Sequence, residues 1–472
     1  MPGMRTRRLT KDYGWRHGAC RIAPLKEVSM SSGVDVLLVR PHHDQGLSLL
    51  AGICCEPLEL EQLAAVAGAE GCRWAIYDPL VDRRSLRRVL RHTEPKLVAI
   101  TGYHPMRLVM IDLARRIHNL SPAVVLVAGG VDVALDPEAY TQSDFDVLVH
   151  HGGAVTFQVL LAQWRRTGQV AKVPGTLHRP RDGGWIRQAP QAVDSTTLPP
   201  PDRSHFLNHR SQFNYLDYGP VALLKSAYGC PYDCRFCCCK LLNDGHYAAR
   251  PVLAVVAELE GLPAETVWIV DDTFLADMAR VNVLAAEIER RGIRKQLIIY
   301  ARAGEVVRAA ASLSRLKQMG IVEIIVGLEA VDPERLAAYK KQCSADDNAR
   351  CIALLRDAGI RCIGLFMIEP DATVAEFRQL REWIRENRLD VFSMSIFSPF
   401  PGTDDFSQYR HRICTDNPRH WDLRHLVMRP THMGRLAFYW RFYAVSAGIL
   451  RNRAFVWRVL SRRFNQRRRP HA

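Results

Sequence analysis

The chemistry of this chain is concentrated in the segment YGCPYDCRFCCCK, where Cys230, Cys234 and Cys237 stand in C-x3-C-x2-C spacing. Thiolates are soft ligands, and an iron–sulfur cubane ordinarily takes four of them. Three on one loop bind three irons and leave the fourth open to an exogenous ligand. Phe236, just before the third cysteine, offers the apolar cover that controls a cluster's potential and its access to solvent. A zinc site is the plainer alternative, but zinc motifs add a second Cys/His pair at a distance, and none of the remaining spacings supplies one. Cys238 and Cys239 read as structural, because only the register that starts at Cys230 completes the spacing.

A cluster loop needs a scaffold. Strand candidates VALLKSAY, VWIVDD, QLIIYAR, EIIVGLEA, CIGLFMIE and VFSMSIFSPF alternate with amphipathic stretches such as VLAVVAELEGL, RVNVLAAEIERRG and VAEFRQLREWIREN. Six β/α units predict a partial, TIM-type (β/α)6 barrel whose active mouth lies at the strands' carboxyl ends. The cysteine loop follows the first strand; Asp271 and Asp272 close the second, Arg302 the third, and Gly327 with Glu329 the fourth. Such groups either hold a ligand or ion-pair across the rim. SPFPGT marks the barrel's end.

Ahead of the barrel, VDVLLV, CRWAIYD, KLVAITG, AVVLVAGG and FDVLVHHGG alternate with helical patterns, the first beginning near Leu58. This α/β series predicts a parallel, Rossmann-like sheet whose ligand sits beyond the strands' carboxyl ends, at residues 40–46, 101–105, 129–132 and 150–153. The expected organisation is a polar leader (1–33), the front domain (34–165), a linker (166–215), the barrel (216–403) and a basic helical region (404–472). Residues 172–202, rich in Pro, Gly, Arg and Asp, are expected to be irregular.

Composition sets outer limits. At 472 residues, 48% hydrophobic and 24% charged, the chain is neither low-complexity nor disordered and has material for two or three domains. Its net charge of +15 admits an acidic partner: nucleic acid, a phosphorylated small molecule or an anionic membrane face. Thirteen cysteines, an odd number with five between Cys230 and Cys239, argue against a disulfide framework. The first thirty residues lack an apolar signal core, and no apolar run reaches about 20 residues. These features predict a reducing cytoplasm, where clustered thiols are metal ligands or catalysts.

With its aromatic before the last cysteine, the cysteine segment resembles the signature of the radical S-adenosylmethionine (SAM) superfamily. The resemblance implies that Cys230, Cys234 and Cys237 hold a [4Fe-4S] cluster whose open iron chelates SAM. An external one-electron reductant, flavodoxin- or ferredoxin-like, then drives SAM cleavage to a 5′-deoxyadenosyl radical. Asp271, Asp272, Arg302, Gly327 and Glu329 become candidates for holding SAM through charge-assisted hydrogen bonds.

The front domain, in its order GLSLL, AIYDP, AITG, VLVAGGVDV and HHGG, resembles the cobalamin-binding domain of one branch of that superfamily. This implies a corrinoid lying along the strand ends, where Thr101, Gly102, Gly129, Gly130 and Gly152 let the backbone come close. Two departures stand out. The D-x-H-x-x-G that carries a lower-ligand histidine has Pro41 in place of its Asp, leaving His43 and Gly46 without an orienting carboxylate, and HHGG replaces the usual GEGE.

Within the branch the chain is similar to hopanoid C-3 methylases over PPPDRSHF, VWIVDDTF, GIRKQLIIYARA, VGLEA with Lys340 and Lys341, EPDATVAEFRQLREWI, SPFPGT and LVMRPTHM. The implied activity is a cobalamin-dependent radical SAM methyltransferase acting on an unactivated carbon of a polycyclic isoprenoid lipid. Anaerobic magnesium-protoporphyrin ester cyclases share the two-domain plan and imply oxidative cyclisation instead.

The C-terminal region is expected to be helical from about Arg435 to Phe464. Phe438, Phe442, Val445, Ile449 and Val456 approximate one apolar stripe, and Arg451, Arg458, Arg462 and Arg463 can snorkel. This fits a closing helix packed on the barrel, or a surface helix that meets anionic lipid at the inner face of a membrane. Nucleic acid competes for the same charge and belongs to the remaining alternative, a cobalamin- and cluster-based redox sensor. A sensor needs no six-strand series with polar groups at each mouth, so nucleic acid is not the expected partner.

Overall fold

The computed structural model describes residues 33–42, 53–180 and 183–468. Its front sheet has seven strands: β1 (Val36–Val39), β2 (Trp74–Tyr77), β3 (Leu97–Thr101), β4 (Val125–Gly129), β5 (Val147–Val149), β6 (Thr176–His178) and β7 (Ile186–Arg187). They lie in the order β2-β1-β3-β4-β5-β6-β7. The first five are parallel, with helices on both faces, such as α1 (Leu58–Ala69) on one and α2 (Arg107–Leu120) on the other, and their apolar runs are accordingly buried on both sides.

One expectation fails here. Part of the stretch read as an irregular linker forms β6 and β7, which add antiparallel to β5 and extend the sheet. Strands of three and two residues are too short to carry a period, while β6 is fully buried. Tertiary context makes them strands.

The barrel follows as expected, with six parallel strands in sequential order: β8 (Val221–Leu224), β9 (Thr266–Ile269), β10 (Gln296–Arg302), β11 (Ile321–Glu329), β12 (Arg361–Ile368) and β13 (Val391–Ile396). Alternate residues point outward to the helices and inward to a lumen of Trp268, Ile298, Ile325, Ile363 and Val391. A six-stranded sheet does not close, so β8 keeps an open edge. The front domain covers it. Just before helix α1 (Leu58–Ala69), the Glu56 carboxylate accepts from the Leu223 N–H, and Arg203 donates to the Leu223 carbonyl at 2.8 Å. Arg203 also pairs with Glu56, Glu61 and Glu258 at 3.2, 3.0 and 2.6 Å, so one buried guanidinium ties both domains to the edge.

The C-terminal helices, α4 (Arg435–Ser446) and α5 (Arg453–Arg468), close the barrel. Phe438, Phe442 and Val445 are buried in the barrel's outer core, where α4 packs on α3 (Val374–Glu386) and β13. Phe455 of α5 enters the lumen's floor, among Tyr215, Val221 and Val391. Burying such a ring is worth about 2–3 kcal/mol. Below it Arg361 grips Asp217 with both terminal nitrogens at 2.8 and 2.9 Å, and Arg458 joins at 2.9 Å. Arg462 donates to the carbonyls of Asp217 and Gly219. Of the two expectations for the stripe, the closing helix packed on the barrel holds for Phe438, Phe442 and Val445, and Arg458 and Arg462 are occupied by the protein itself. Among the described residues no helix is long and apolar enough to cross a membrane.

Candidate active site

The cysteine loop is closed at its base by a short antiparallel pair, Ala227–Tyr228 with Ala248–Ala249. Gly229 sits there at φ +74°, and a Cβ would lie 2.0 Å from the His246 carbonyl oxygen, so only glycine admits the closure. Asp271 braces the same point. It accepts from the backbone N–H groups of Ser226 and Ala227 at 2.6 and 3.0 Å and from the Ser226 hydroxyl. Burial raises its pKa, and these donors offset that only in part. With its oxygens committed to the loop base, Asp271 is not available to SAM, which corrects the expectation for this residue.

Along the loop, Cys234 is buried, while Cys230 and Cys237 are half-buried. Phe236 packs edge-on against Tyr339 at 5.5 Å beside Met367 and Phe397, which is the apolar cover expected of it. Arg302 is turned toward the cluster loop. Its Nη1 donates to Cys234 Sγ at 3.0 Å, its plane lies 3.8 Å from the centre of the Tyr232 ring, and its other terminal nitrogen donates to the Lys341 carbonyl. Burial pushes the Cys230 thiol up to about 11. The Cys239 thiol, hydrogen-bonded to Cys237, raises Cys237 further than burial alone does. Cys239 donates in turn to Asp272 Oδ1 at 3.4 Å, and Asp272 pairs with Lys225 at 3.3 Å on the rim. Three soft donors under apolar cover, with a cationic donor on one sulfur, fit a bound cluster.

Glu329 stands on the far side of the mouth at φ +63°, where the register between β11 and β12 shifts. The bulge aims its carboxylate at Lys341 Nζ, 2.7 Å away. A Cβ on Gly327 would lie 2.5 Å from Glu329 Oε1 and 2.7 Å from Lys341 Nζ, so Gly327 makes room for this pair. The structure thus gathers Arg302, Gly327 and Glu329 around Lys341 beside Cys234.

In the front domain, Thr101, Gly102, Gly129 and Gly130 come together at adjacent strand ends. Gly130, at φ +93°, is packed by its own chain, a Cβ there meeting Thr101 Oγ1 at 2.3 Å and Gly102 N at 2.7 Å. Gly102 and Gly152 are equally hemmed in, by Met110 and by Thr156 with Val193. These three are glycines for internal packing. Of the four glycines, Gly129 is the roomy one, with nothing among the described residues nearer than Val149 Cβ at 3.8 Å, and can admit a ligand's close approach.

Asp132 locks the two loops. It accepts from Arg107 at 2.8 Å through both oxygens and from the Tyr140 hydroxyl at 2.7 Å, and lies 2.6 Å from His104 Nδ1. Burial alone raises an aspartate, but the bonds from His104 and Arg107 hold this one well below the usual carboxylate range. His43 and Gly46 lie outside the described residues.

Sequence reasoning passed over the residues between the two sets. Tyr103, just beyond β3, is 58% open to solvent. It lies within electrostatic range of Glu59 and Arg40 on its own domain and of Cys238 and Cys239 on the cluster loop. Tyr300, inward-facing on β10, senses Cys55, Tyr103 and Asp272. The period-2 face Ile298, Tyr300, Arg302 is the signal that points to Tyr300. Nothing local in the sequence marks Tyr103.

Comparison with known proteins bears on both halves. Residues 224–384 match the radical SAM superfamily and residues 44–161 the B12 binding domain. The hopanoid C-3 methylase of Methylococcus capsulatus is 25% identical over 389 residues, 81% of this chain and 74% of that protein. The anaerobic magnesium-protoporphyrin IX monomethyl ester cyclase of Rubrivivax gelatinosus is 22% identical over 421 residues, 85% and 74% of the two chains. The solved radical SAM methyltransferase TsrM from Kitasatospora setae, with cobalamin and a [4Fe-4S] cluster bound, superposes with a TM-score of 0.69 at 17% identity, over 88% of this chain and 91% of that one. Two family matches on one chain give this protein a radical SAM domain behind a B12 binding domain, with a [4Fe-4S] cluster, SAM and cobalamin as the cofactors that these domains take.

Proposed function

We propose that the protein methylates an unactivated carbon of a polycyclic isoprenoid lipid of the hopanoid type. The observation that carries this reading is that the front domain's strand-end loops meet the barrel's mouth: His151 Nε2 lies 2.9 Å from Asp244 on the cluster loop, and His104 packs edge-on against Phe400 and Trp421. When bound, the cluster with SAM supplies a hydrogen-abstracting radical, and cobalamin supplies the methyl group. Cys230, Cys234 and Cys237 hold the cluster. Arg302 fixes Cys234, and the Glu329–Lys341 pair with Asp272 orients the polar end of SAM. Thr101 and Gly129 admit the corrinoid at the front sheet's strand ends. Val270 and Leu365 give the lumen apolar walls beside Tyr300, so a hydrocarbon skeleton finds contacts there and water is displaced. No general base is needed where hydrogen leaves as an atom.

The lipid reading rests on similarity to the hopanoid C-3 methylase together with these walls. In this reading the enzyme works at the inner face of a membrane and takes electrons from a flavodoxin- or ferredoxin-like protein. Reconstituted anaerobically with a hopanoid, it is expected to release S-adenosylhomocysteine and 5′-deoxyadenosine in near-equal amounts. Deoxyadenosine without the homocysteine product favours the oxidative cyclase reading, and SAM left intact over hours favours a sensor.

A further inference from the structure

The C-terminal helices carry a second apolar face, opposite the one the barrel buries. On α4, Leu436, Trp440 and Tyr443 recur at i, i+4 and i+7, across the helix from Phe438, Phe442 and Val445; Leu436 is 87% and Trp440 69% exposed. Exposed Leu450 follows, and on α5 Trp457, 71% exposed, and Leu460 turn away from the buried Phe455. Single exposed hydrophobes are ordinary, but so many large ones along two consecutive helices mark an interaction surface.

Charge narrows the occupant. Residues 423–472 contain twelve arginines and no Asp or Glu. Arg458 and Arg462 are engaged with Asp217 and Gly219, whereas Arg451 and Arg453 are exposed beside the apolar rows. A second copy of the chain would set this charge against itself. An anionic bilayer answers it, and Trp, Tyr and Arg are the side chains that favour the headgroup level.

We propose that the exposed face of α4, continued by Leu450, Trp457 and Leu460, docks the enzyme on an anionic membrane surface. The orientation suits delivery to the barrel's mouth. Near the start of α4 the Tyr439 hydroxyl accepts from Leu426 N–H, close to where Ile396 at the carboxyl end of β13 donates to Leu423. Further along, Ser446 and Gly448 lie against Met394 and Phe392, lower on the strand. Leu436 is thus at the level of the barrel's mouth, where a molecule leaving the bilayer has the shortest way in. The choice of a bilayer rests on the lipid reading above, but docking is measured without turnover.

The test is sedimentation of the full-length protein with vesicles of phosphatidylcholine alone and of phosphatidylcholine mixed with phosphatidylglycerol. We expect binding to the anionic vesicles, weakened by salt as charges are screened within about 8–10 Å. The double substitution L436S/W440S should weaken it at least about tenfold with the thermal unfolding midpoint unchanged, since both side chains are exposed. Wild-type binding by the double variant, or equal binding to both vesicle types, overturns the proposal. So does a dimer in sedimentation velocity that the double variant abolishes. Vesicle binding without methylation of a detergent-dispersed hopanoid keeps this surface and sinks the lipid substrate instead.

Discussion

At the barrel mouth the polar groups are side chains locked to one another: Arg302 to Cys234 and Lys341, Glu329 to Lys341, Asp272 to Lys225. At the strand ends of the front sheet stand glycines and a phenol, braced by a buried aspartate. Under the proposed function the barrel holds a small zwitterion and a cluster through directed bonds, whereas the front domain accepts a broad, flat ligand by backbone shape. The same distinction separates two kinds of mutational outcome, since removing a locked side chain deletes a contact, whereas adding a methyl to a packed glycine deforms the fold.

The largest effects are expected on the barrel side. Replacing Cys230, Cys234 or Cys237 by Ala should abolish iron–sulfur absorbance and SAM cleavage, while Cys238→Ala and Cys239→Ala keep most of both. Equal damage from Cys239→Ala and Cys237→Ala would show that the ligand register is wrong. On the front side, Gly130→Ala places a methyl 2.3 Å from Thr101 Oγ1 at a positive φ and should cost about 2–4 kcal/mol in urea unfolding. Gly129→Ala has room and should cost less than about 1 kcal/mol, with loss of cobalamin on gel filtration as its main phenotype. If the two alanines are equally destabilising, the division between packing and ligand glycines collapses.

Arg302→Lys keeps the charge but loses the planar fork. It should shift the cluster's midpoint potential in a redox titration followed by electron paramagnetic resonance, with the protein still folded; an unchanged potential would leave the bond to Cys234 without a role. The smallest effect concerns Glu369, at the carboxyl end of β12, which accepts from the Tyr339 hydroxyl at 2.8 Å and is pushed by burial up to about 7. A carboxylate whose pKa is higher folded than unfolded stabilises the fold fully below about pH 4.5 and loses that contribution as pH rises through about 7. Glu369→Gln should flatten the slope of stability across that window, by about 1–2 kcal/mol. A slope identical to that of the native protein would mean that another group titrates there.

The barrel was legible because its strands are long, β-branched and regularly spaced, and the cysteine loop because thiol spacing is itself the chemistry. Asp271 and Asp272 show the limit of that reading. They are adjacent in sequence just past the end of β9, yet one turns to the loop base and the other to the rim, and no composition rule says which role each will have. Glycines mislead in the same way, because Gly129 and Gly130 are indistinguishable until the position of Thr101 is known. Tyr103 and the Arg203 junction depend on how two domains meet, and periodicity along one chain carries no information about that. The C-terminal stripe was legible as apolar, but not whether the barrel or a lipid surface would cover it, since two opposite stripes on one helix are both amphipathic signals.

The capped edge of β8 bears on how this chain can be divided. A barrel cut free at its apparent boundary would present the N–H and carbonyl of Leu223 bare, on a flat parallel edge of the kind that recruits neighbouring strands. A front domain cut free would lose the guanidinium that neutralises both Glu56 and Glu61, two carboxyl groups in hydrogen-bond contact that repel once both ionise. The linker is continuous in sequence, but the energetic seam runs elsewhere, through the middle of the assembled molecule. Neither half is a portable module, and exchange of front domains between relatives should succeed only when the Glu56, Glu61 and Arg203 set travels with them.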